Sequence, residues 1–282
     1  MTDRRPLAMS CAGAVLAAVA AFVVHLLPPP SMARDWARDQ VLLPKIAING
    51  GVVSILNIRR ARYRSTADYD VSYYGRSFDL ARIRRVWYMI EKFPAWSGMA
   101  HTLFSFEFAG PDGKPEFVAV SVEIRREKGE KYSVLKGLLR RFELMYVIAD
   151  EEDVIRLRTT HRRHDVYLYP GAASPEKVRA LFLDMMRRAQ QLRREPEFYN
   201  SITNTCTTNL VDHVRKIAPG RLPRSLKVVM PGYSDRLAYD QGLIDNARPF
   251  AEMRAAHLIS PRAREFKAGD FSGWIRRGIS ND

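Results

Sequence analysis

Cysteine is nearly absent from this chain: two stand in 282 residues, Cys11 and Cys206, and Cys11 lies inside an N-terminal apolar run. The remainder holds one thiol and no internal disulfide, which excludes a cystine-stapled scaffold. Internal repeats, low-complexity tracts and long Gly/Ser linkers are also missing, so solenoids, propellers and strings of tethered modules are excluded. The roughly 250 residues beyond the run suffice for a substantial core and read as one domain with an N-terminal preface. Acid is in short supply, with 31 Asp and Glu against 45 Lys and Arg for a net charge of +14. The excess sits in clusters such as Arg59-Arg60-Ala61-Arg62-Tyr63-Arg64, Arg82-Ile83-Arg84-Arg85 and Arg187-Arg188 through Arg193-Arg194. Most individual arginines are solvated faces, but the sum attracts anionic lipid or nucleic acid.

One long hydrophobic run is present. Leu7 to Leu27 carries no charge, follows Arg4 and Arg5, and precedes Pro28-Pro29-Pro30; it is long enough to span a bilayer. Cations ahead of it and balanced charge behind it favour export of everything C-terminal. Ser31-Met32-Ala33 offers a small-x-small cleavage site, so a removed signal peptide and a retained anchor both remain open. Residues 1–33 are therefore read as a signal or anchor segment and residues 34–282 as an exported domain. Outside the cytoplasm lipid and wall polymers are abundant and nucleic acid is not, so the expected partners are membrane lipid or lipoprotein substrate and an anionic membrane surface, without nucleic acid.

Periodicity predicts mixed α and β structure. Strands are expected at 52–58 and 82–90, and Ala100 to Phe108 alternates, with Thr102, Phe104, Phe106 and Phe108 on one face and His101, Leu103, Ser105 and Glu107 on the other. Pro111-Asp112-Gly113-Lys114-Pro115 reads as a turn and Phe117 to Ile124 as the returning strand of a hairpin. Ser133 to Phe142 reads as a helix, and 144–149 and 154–157 as strands flanking an acidic turn at 150–153. A helix opening at Ser174-Pro175-Glu176 has a cap, a first-turn proline and a dipole-matched acid. Its stripe of Val178, Leu181, Phe182, Met185, Met186, Ala189 and Leu192 marks the methionines as core packing; no cofactor or metal is expected. The region after Pro219-Gly220 reads as a surface wrap.

Cys206 is the residue that points to chemistry. Leu210, Val211, Val214 and Ile217 recur at helical spacing behind a cluster of Thr and Asn suited to capping, which places Cys206 in or beside a first helical turn. Unpaired N–H groups and the positive end of the dipole there stabilise a thiolate. The competing reading is a small core hydrophobe. A nucleophile needs a base, and His213, seven residues further along the same helix, lies roughly 10 Å away and is ruled out as a direct partner. His161 and His164 fall in a polar connection and His257 in the C-terminal region. His101 begins a strand, a rigid place from which to aim an imidazole. Pairing Phe108 with Phe117 or Glu116 sets His101 opposite Ile124 or Glu123, so Glu123 is the candidate to orient the ring, against an exposed strand position paired with Arg125 or Arg126.

Taken together, Trp36-Ala37-Arg38-Asp39-Gln40, Asn57-Ile58-Arg59-Arg60, Tyr69-Asp70, Ala100 to Phe106, Ser121 to Glu130, Phe198-Tyr199-Asn200 and Cys206-Thr207-Thr208 resemble the bacterial family named after the N-terminal periplasmic domain of the lipoprotein N-acyltransferase Lnb. The resemblance covers nearly the whole exported chain. It implies an α+β fold with a circularly permuted papain-like core of the NlpC type, in which antiparallel strands carry the histidine and a helix N-terminus carries the cysteine. By position it implies Cys206 as nucleophile, His101 as general base and Glu123 as orienting group, in a periplasmic domain tethered through residues 7–27. The activity implied is a thiol acyltransferase or hydrolase acting on lipid or lipoprotein acyl groups. A peptidoglycan amidopeptidase and a non-catalytic basic envelope-binding module are the alternatives. Family members often place Asn directly before the Cys; here Thr205 intervenes after Asn204. The chain also carries no second apolar span, so lipoprotein N-acylation does not transfer directly.

Overall fold

The computed structural model describes residues 18, 29–222 and 230–279. The apolar run of residues 7–27 lies outside the described residues, apart from Ala18. None of the described helices is long and apolar enough to cross a membrane.

An open mixed sheet forms the centre. Its strands are β1 (Lys45–Asn49), β2 (Val52–Tyr63), β3 (Tyr69–Asp79), β4 (Ile83–Lys92), β5 (Ala100–Ala109), β6 (Pro115–Arg125), β7 (Glu143–Ala149) and β8 (Asp165–Pro170). The order is β1-β2-β7-β6-β5-β4-β8, with β3 paired to β2 off this path. All pairings are antiparallel except β2 with β7. The alternation of β5 divides its side chains between two cores. Phe104, Phe106 and Phe108 join one core with Val118, Val120 and Tyr146, while Leu103 joins the other with Ala119, Met145 and Val147.

The first core is closed by helices α3 (Pro175–Arg194) and α4 (Cys206–Ile217). Val178, Phe182, Met185 and Met186 are fully buried, and the Phe182 ring meets Phe106 edge-on at 4.9 Å between centroids. The methionines thus pack the core as the stripe predicted. A buried bridge ties the two helices: His213 on α4 bonds Asp184 on α3 through Nδ1 at 2.6 Å and Tyr146 on β7 through Nε2 at 2.6 Å.

Three sequence expectations are corrected. Val154–Leu157 is helical: α2 runs from Glu151 to Arg156 and continues as a π-helical turn to His161. The acidic run is its first turn, where the dipole favours negative charge. Two of those acids are buried on arginines. Glu151 takes both terminal nitrogens of Arg276, and Asp153 takes Arg59 at 2.8–2.9 Å. Between Ser133 and Phe142 only α1 (Val134–Leu138) is helical, because Arg140 turns into the left-handed region at φ +53°; Phe142 is buried but the stripe before it is exposed. The C-terminal region is no surface wrap. Helices α5 (Ser234–Asp240) and α6 (Phe250–Ala256) pack on the first face of the sheet beside α4, over Tyr88, Ile90, Tyr167 and Tyr169, and α7 (Ser260–Glu265) and α8 (Phe271–Ile275) cover the second face. Met253 is fully buried on the first face, and Ile259, Ala263 and Ile275 on the second. Their spacing was hidden by short helices whose apolar residues come one or two at a time, too few for a readable stripe.

Candidate active site

Helix α4 starts at the end of the sheet, and its cap is built from side chains the sequence places there. Thr205 is the N-cap: its hydroxyl accepts from the Thr208 N–H at 3.2 Å, and the Thr208 hydroxyl accepts from the Thr205 N–H at 2.8 Å. This reciprocal capping box leaves Cys206 as the first helical residue. The N–H groups of Cys206 and Thr207 then have no acceptor within the helix. The loop before it is held by Asn204, which donates to the Phe198 carbonyl at 3.0 Å and accepts from Asn209 at 2.8 Å. Helix and strand meet through Thr102, whose hydroxyl lies 3.2 Å from that of Thr207 and whose backbone N–H bonds the Cys206 sulfur.

The thiol is half-buried and free. Burial alone would raise its pKa, but the charge and hydrogen bond of His101, with the Thr102 N–H, outweigh burial and bring it down to about 7. This is the expected result of a positive group and fixed donors beside a thiolate.

His101 is set by the hairpin. The register pairs Phe108 with Glu116 and Leu103 with Ser121; extended two residues, it puts His101 opposite Glu123, one of the two pairings the turn allowed. The side chains do not touch directly, with Nε2 at 3.9 Å from Glu123 Oε1. Ser121 stands between them: His101 Nε2 lies 2.7 Å from the Ser121 hydroxyl, which donates to Glu123 Oε1 at 2.9 Å. A hydroxyl whose proton is given to Glu123 must accept from Nε2–H, which leaves Nδ1 as the unprotonated nitrogen for the thiol. Glu123 is held ionised: burial pushes its pKa up, but Arg158, Arg59 and His101 pull it well below the usual carboxylate range. Arg158 is itself buried, reaching Glu123 at 2.9 Å and Glu91 at 2.9 Å.

Cys206, His101, Glu123 and Arg158 line one cleft of about 330 Å³ together with Gln40, Tyr132, Arg126, Arg162, His164 and Tyr199. His164 therefore does more than decorate a loop. Its Nδ1 lies 2.7 Å from Glu91 and its ring packs on Phe93. Gln40 receives the Arg126 N–H at 2.7 Å and donates to the Ile124 carbonyl at 3.0 Å, fixing the end of β6 beyond Glu123. His213 is committed to Asp184 and Tyr146, His257 to the Met253 carbonyl, and His161 lies against Tyr63. Sequence reasoning missed Ser121, Arg158 and His164. Its spacing of two residues from Glu123 puts Ser121 on the same strand face, but nothing local shows that its hydroxyl bridges to His101. Among the described residues no group of three or more His, Cys, Asp or Glu is placed to hold a metal ion.

Fold and cleft together define an α+β protein in which a helix-start thiol meets a strand-borne imidazole at the end of an open mixed sheet. The family described as the Lnb N-terminal periplasmic domain matches residues 69–232, more than half of the chain, and the chain belongs to that family. The matched region contains His101, Ser121, Glu123, Arg158 and Cys206. Membership supports a periplasmic protein of the cell envelope. Comparison with curated proteins and with solved structures finds no match.

Proposed function

We propose that this protein is a thiol-dependent acyltransferase or hydrolase, with Cys206 as nucleophile, His101 as general base and acid, and Glu123 acting through Ser121 to orient the ring. The observation that carries the reading is the thiol at the first position of α4, brought to about pKa 7 by His101. His101 Nδ1 takes the thiol proton and the thiolate adds to an ester or amide carbonyl, forming the C–S bond. The N–H groups at the helix start face the developing oxyanion. Collapse breaks the C–O or C–N bond, the imidazolium gives its proton to the leaving group, and water or an amine then resolves the thioester. The order of strand histidine before helix cysteine suits a permuted papain-like core of the NlpC type.

Lipid or lipoprotein acyl groups are the substrate class this reading favours. Arg126, Arg158 and Arg162 line the cleft beside Phe93, Met99, Tyr132 and Tyr199, a combination suited to an anionic headgroup carrying apolar chains. Residues 7–27 would tether the exported domain of residues 34–282 to the membrane that holds such a substrate. The test is labelling of the full-length protein with an electrophilic lipid probe and an electrophilic peptide probe, followed by mapping of the modified residue. Lipid labelling at Cys206 that disappears in His101→Ala is expected. Labelling by the peptide probe alone would replace lipid chemistry with wall-peptide cleavage, and a native thiol inert to both would leave a non-catalytic module.

A further inference from the structure

Helix α1 carries its apolar stripe outward. Val134, Leu135, Leu138 and Leu139 are exposed, Leu135 to 64%, and Tyr132 and Ile202 join them, Ile202 at 52%. This orientation is imposed by packing. The opposite side of α1 is Gly137, where a Cβ would collide with the Ser201 hydroxyl and lie 3.3 Å from the Tyr199 ring. Ser201 also donates to the Val134 carbonyl at 2.9 Å, and Tyr132 stacks on buried Phe142. The helix is thus pinned by its small face with its large side chains facing solvent. A contiguous apolar surface of this kind marks an interaction site.

We propose that this patch is a membrane-docking face that seats the mouth of the cleft on an anionic bilayer. Charge complementarity selects lipid. Lys128, Lys131, Lys136, Arg140 and Arg141 are all exposed around the patch, and residues 126–141 hold six cations against two acids. Apolar side chains ringed by Lys and Arg are the composition of interfacial segments. The chain path agrees. The Ser31 N–H donates to Glu143 at 2.6 Å, directly after Phe142, and Trp36 lies under the Arg125 guanidinium at 4.1 Å. Only Pro28-Pro29-Pro30 separate Ser31 from the last residue of the uncharged run at Leu27, a reach of at most about 14 Å over four residue steps. A domain tethered through that run is held with this side toward the bilayer. Tyr132 and Ser201 line the cleft with Cys206, so the patch and the thiol share one rim.

The docking face deepens the lipid reading above and can be tested without turnover. The full-length protein in a Cys11→Ser/Cys206→Ser background would carry an environment-sensitive dye at Leu135→Cys or at Leu56→Cys, an exposed position on β2. Each would be placed in phosphatidylcholine–phosphatidylglycerol vesicles whose acyl chains are brominated. Quenching several-fold stronger at position 135 than at position 56 is expected. It should fall toward the position-56 value when Lys131, Arg140 and Arg141 are replaced by Glu. Equal quenching at the two positions overturns the docking and leaves the patch to a protein partner. Strong quenching in a protein whose native Cys206 reacts with no lipid probe keeps the docking and removes the lipid-enzyme reading; lipid labelling without preferential quenching does the reverse.

Discussion

In the proposed mechanism, proton movement at Cys206 would depend on a hydroxyl that does not itself react. Ser121 accepts from His101 and donates to Glu123, so it selects the tautomer that leaves Nδ1 free for the thiol. Ser121→Ala should lower kcat about 10- to 100-fold, the loss typical of a group one step removed from the chemistry, with KM nearly unchanged; a parallel rise in KM would assign the hydroxyl to substrate binding. The thiol offers a direct readout. Alkylation of the native protein should rise with pH through about 7, because the thiolate is the reactive form and His101 lowers its pKa. In His101→Ala the inflection should move upward, toward or beyond the ~8.5 of an ordinary thiol, since burial then acts unopposed. An unchanged inflection would detach His101 from the thiol. Cys206, His101 and Glu123 were legible because each stands where local rules confine it: a helix start, a strand start and a hairpin partner. Ser121 was not, because a hydroxyl within the valine-rich run of β6 looks like any small filler until its neighbours across the sheet are known.

At the scale of elements, the start of α4 and the β2–α2 junction carry the site. The Thr205–Thr208 box fixes where the helix begins, so Thr205→Ala should cost about 1 kcal/mol by denaturant titration and slow alkylation of Cys206 near neutral pH, while Thr205→Ser should retain both properties. The junction is stiffer: Arg59, buried, bonds Asp153 through two nitrogens and lies 3.6 Å from Asp39. Removing one partner of a buried pair strands the other, so Arg59→Ala should lose about 3–5 kcal/mol; a loss below 1 kcal/mol would mean that water reaches Asp153. The acidic run at 150–153 was misread as a turn because local composition cannot distinguish a polar loop from the first turn of a short helix. The difference lies in Arg59 and Arg276, which arrive from distant parts of the chain to bury Asp153 and Glu151.

For the whole molecule, stability follows two features of the assembled cores. Glu123 and Glu151 are both held below the ordinary glutamate pKa against the cost of burial, chiefly by Arg158 and Arg276. A depressed folded pKa contributes stability that is fully present above the unfolded value near 4.3 and is lost as pH falls through the folded values. Tm should therefore hold between pH 7 and about 5 and drop below about 4 in a thermal scan. A Tm that rose on acidification would contradict the arginine pairing. The second feature is the C-terminal cover. Ile259, Phe271 and Ile275 are buried against the second face of the sheet, each worth about 1.5–3 kcal/mol, a sum comparable with the ~5–15 kcal/mol stability of an ordinary domain. A chain ending at Leu258 should lose its cooperative melt; a sharp native-like transition would return those residues to a dispensable wrap.

Sequence alone determined the features set by local chemistry: the alternation of β5, the hairpin to β6, the stripe of α3, the capped start of α4, and hence the residue types available at one end of the sheet. Family membership was legible there too, because its motifs keep their order along the chain. Tertiary structure decided what depends on distant residues meeting: the Ser121 bridge, the arginines that keep buried carboxylates ionised, the sheet order that sets β7 between β2 and β6, and the outward turn of α1. The physical reason is range. Periodicity and capping act within a few residues, whereas burial of a charge or a face is fixed only when the partner that compensates it has been brought alongside.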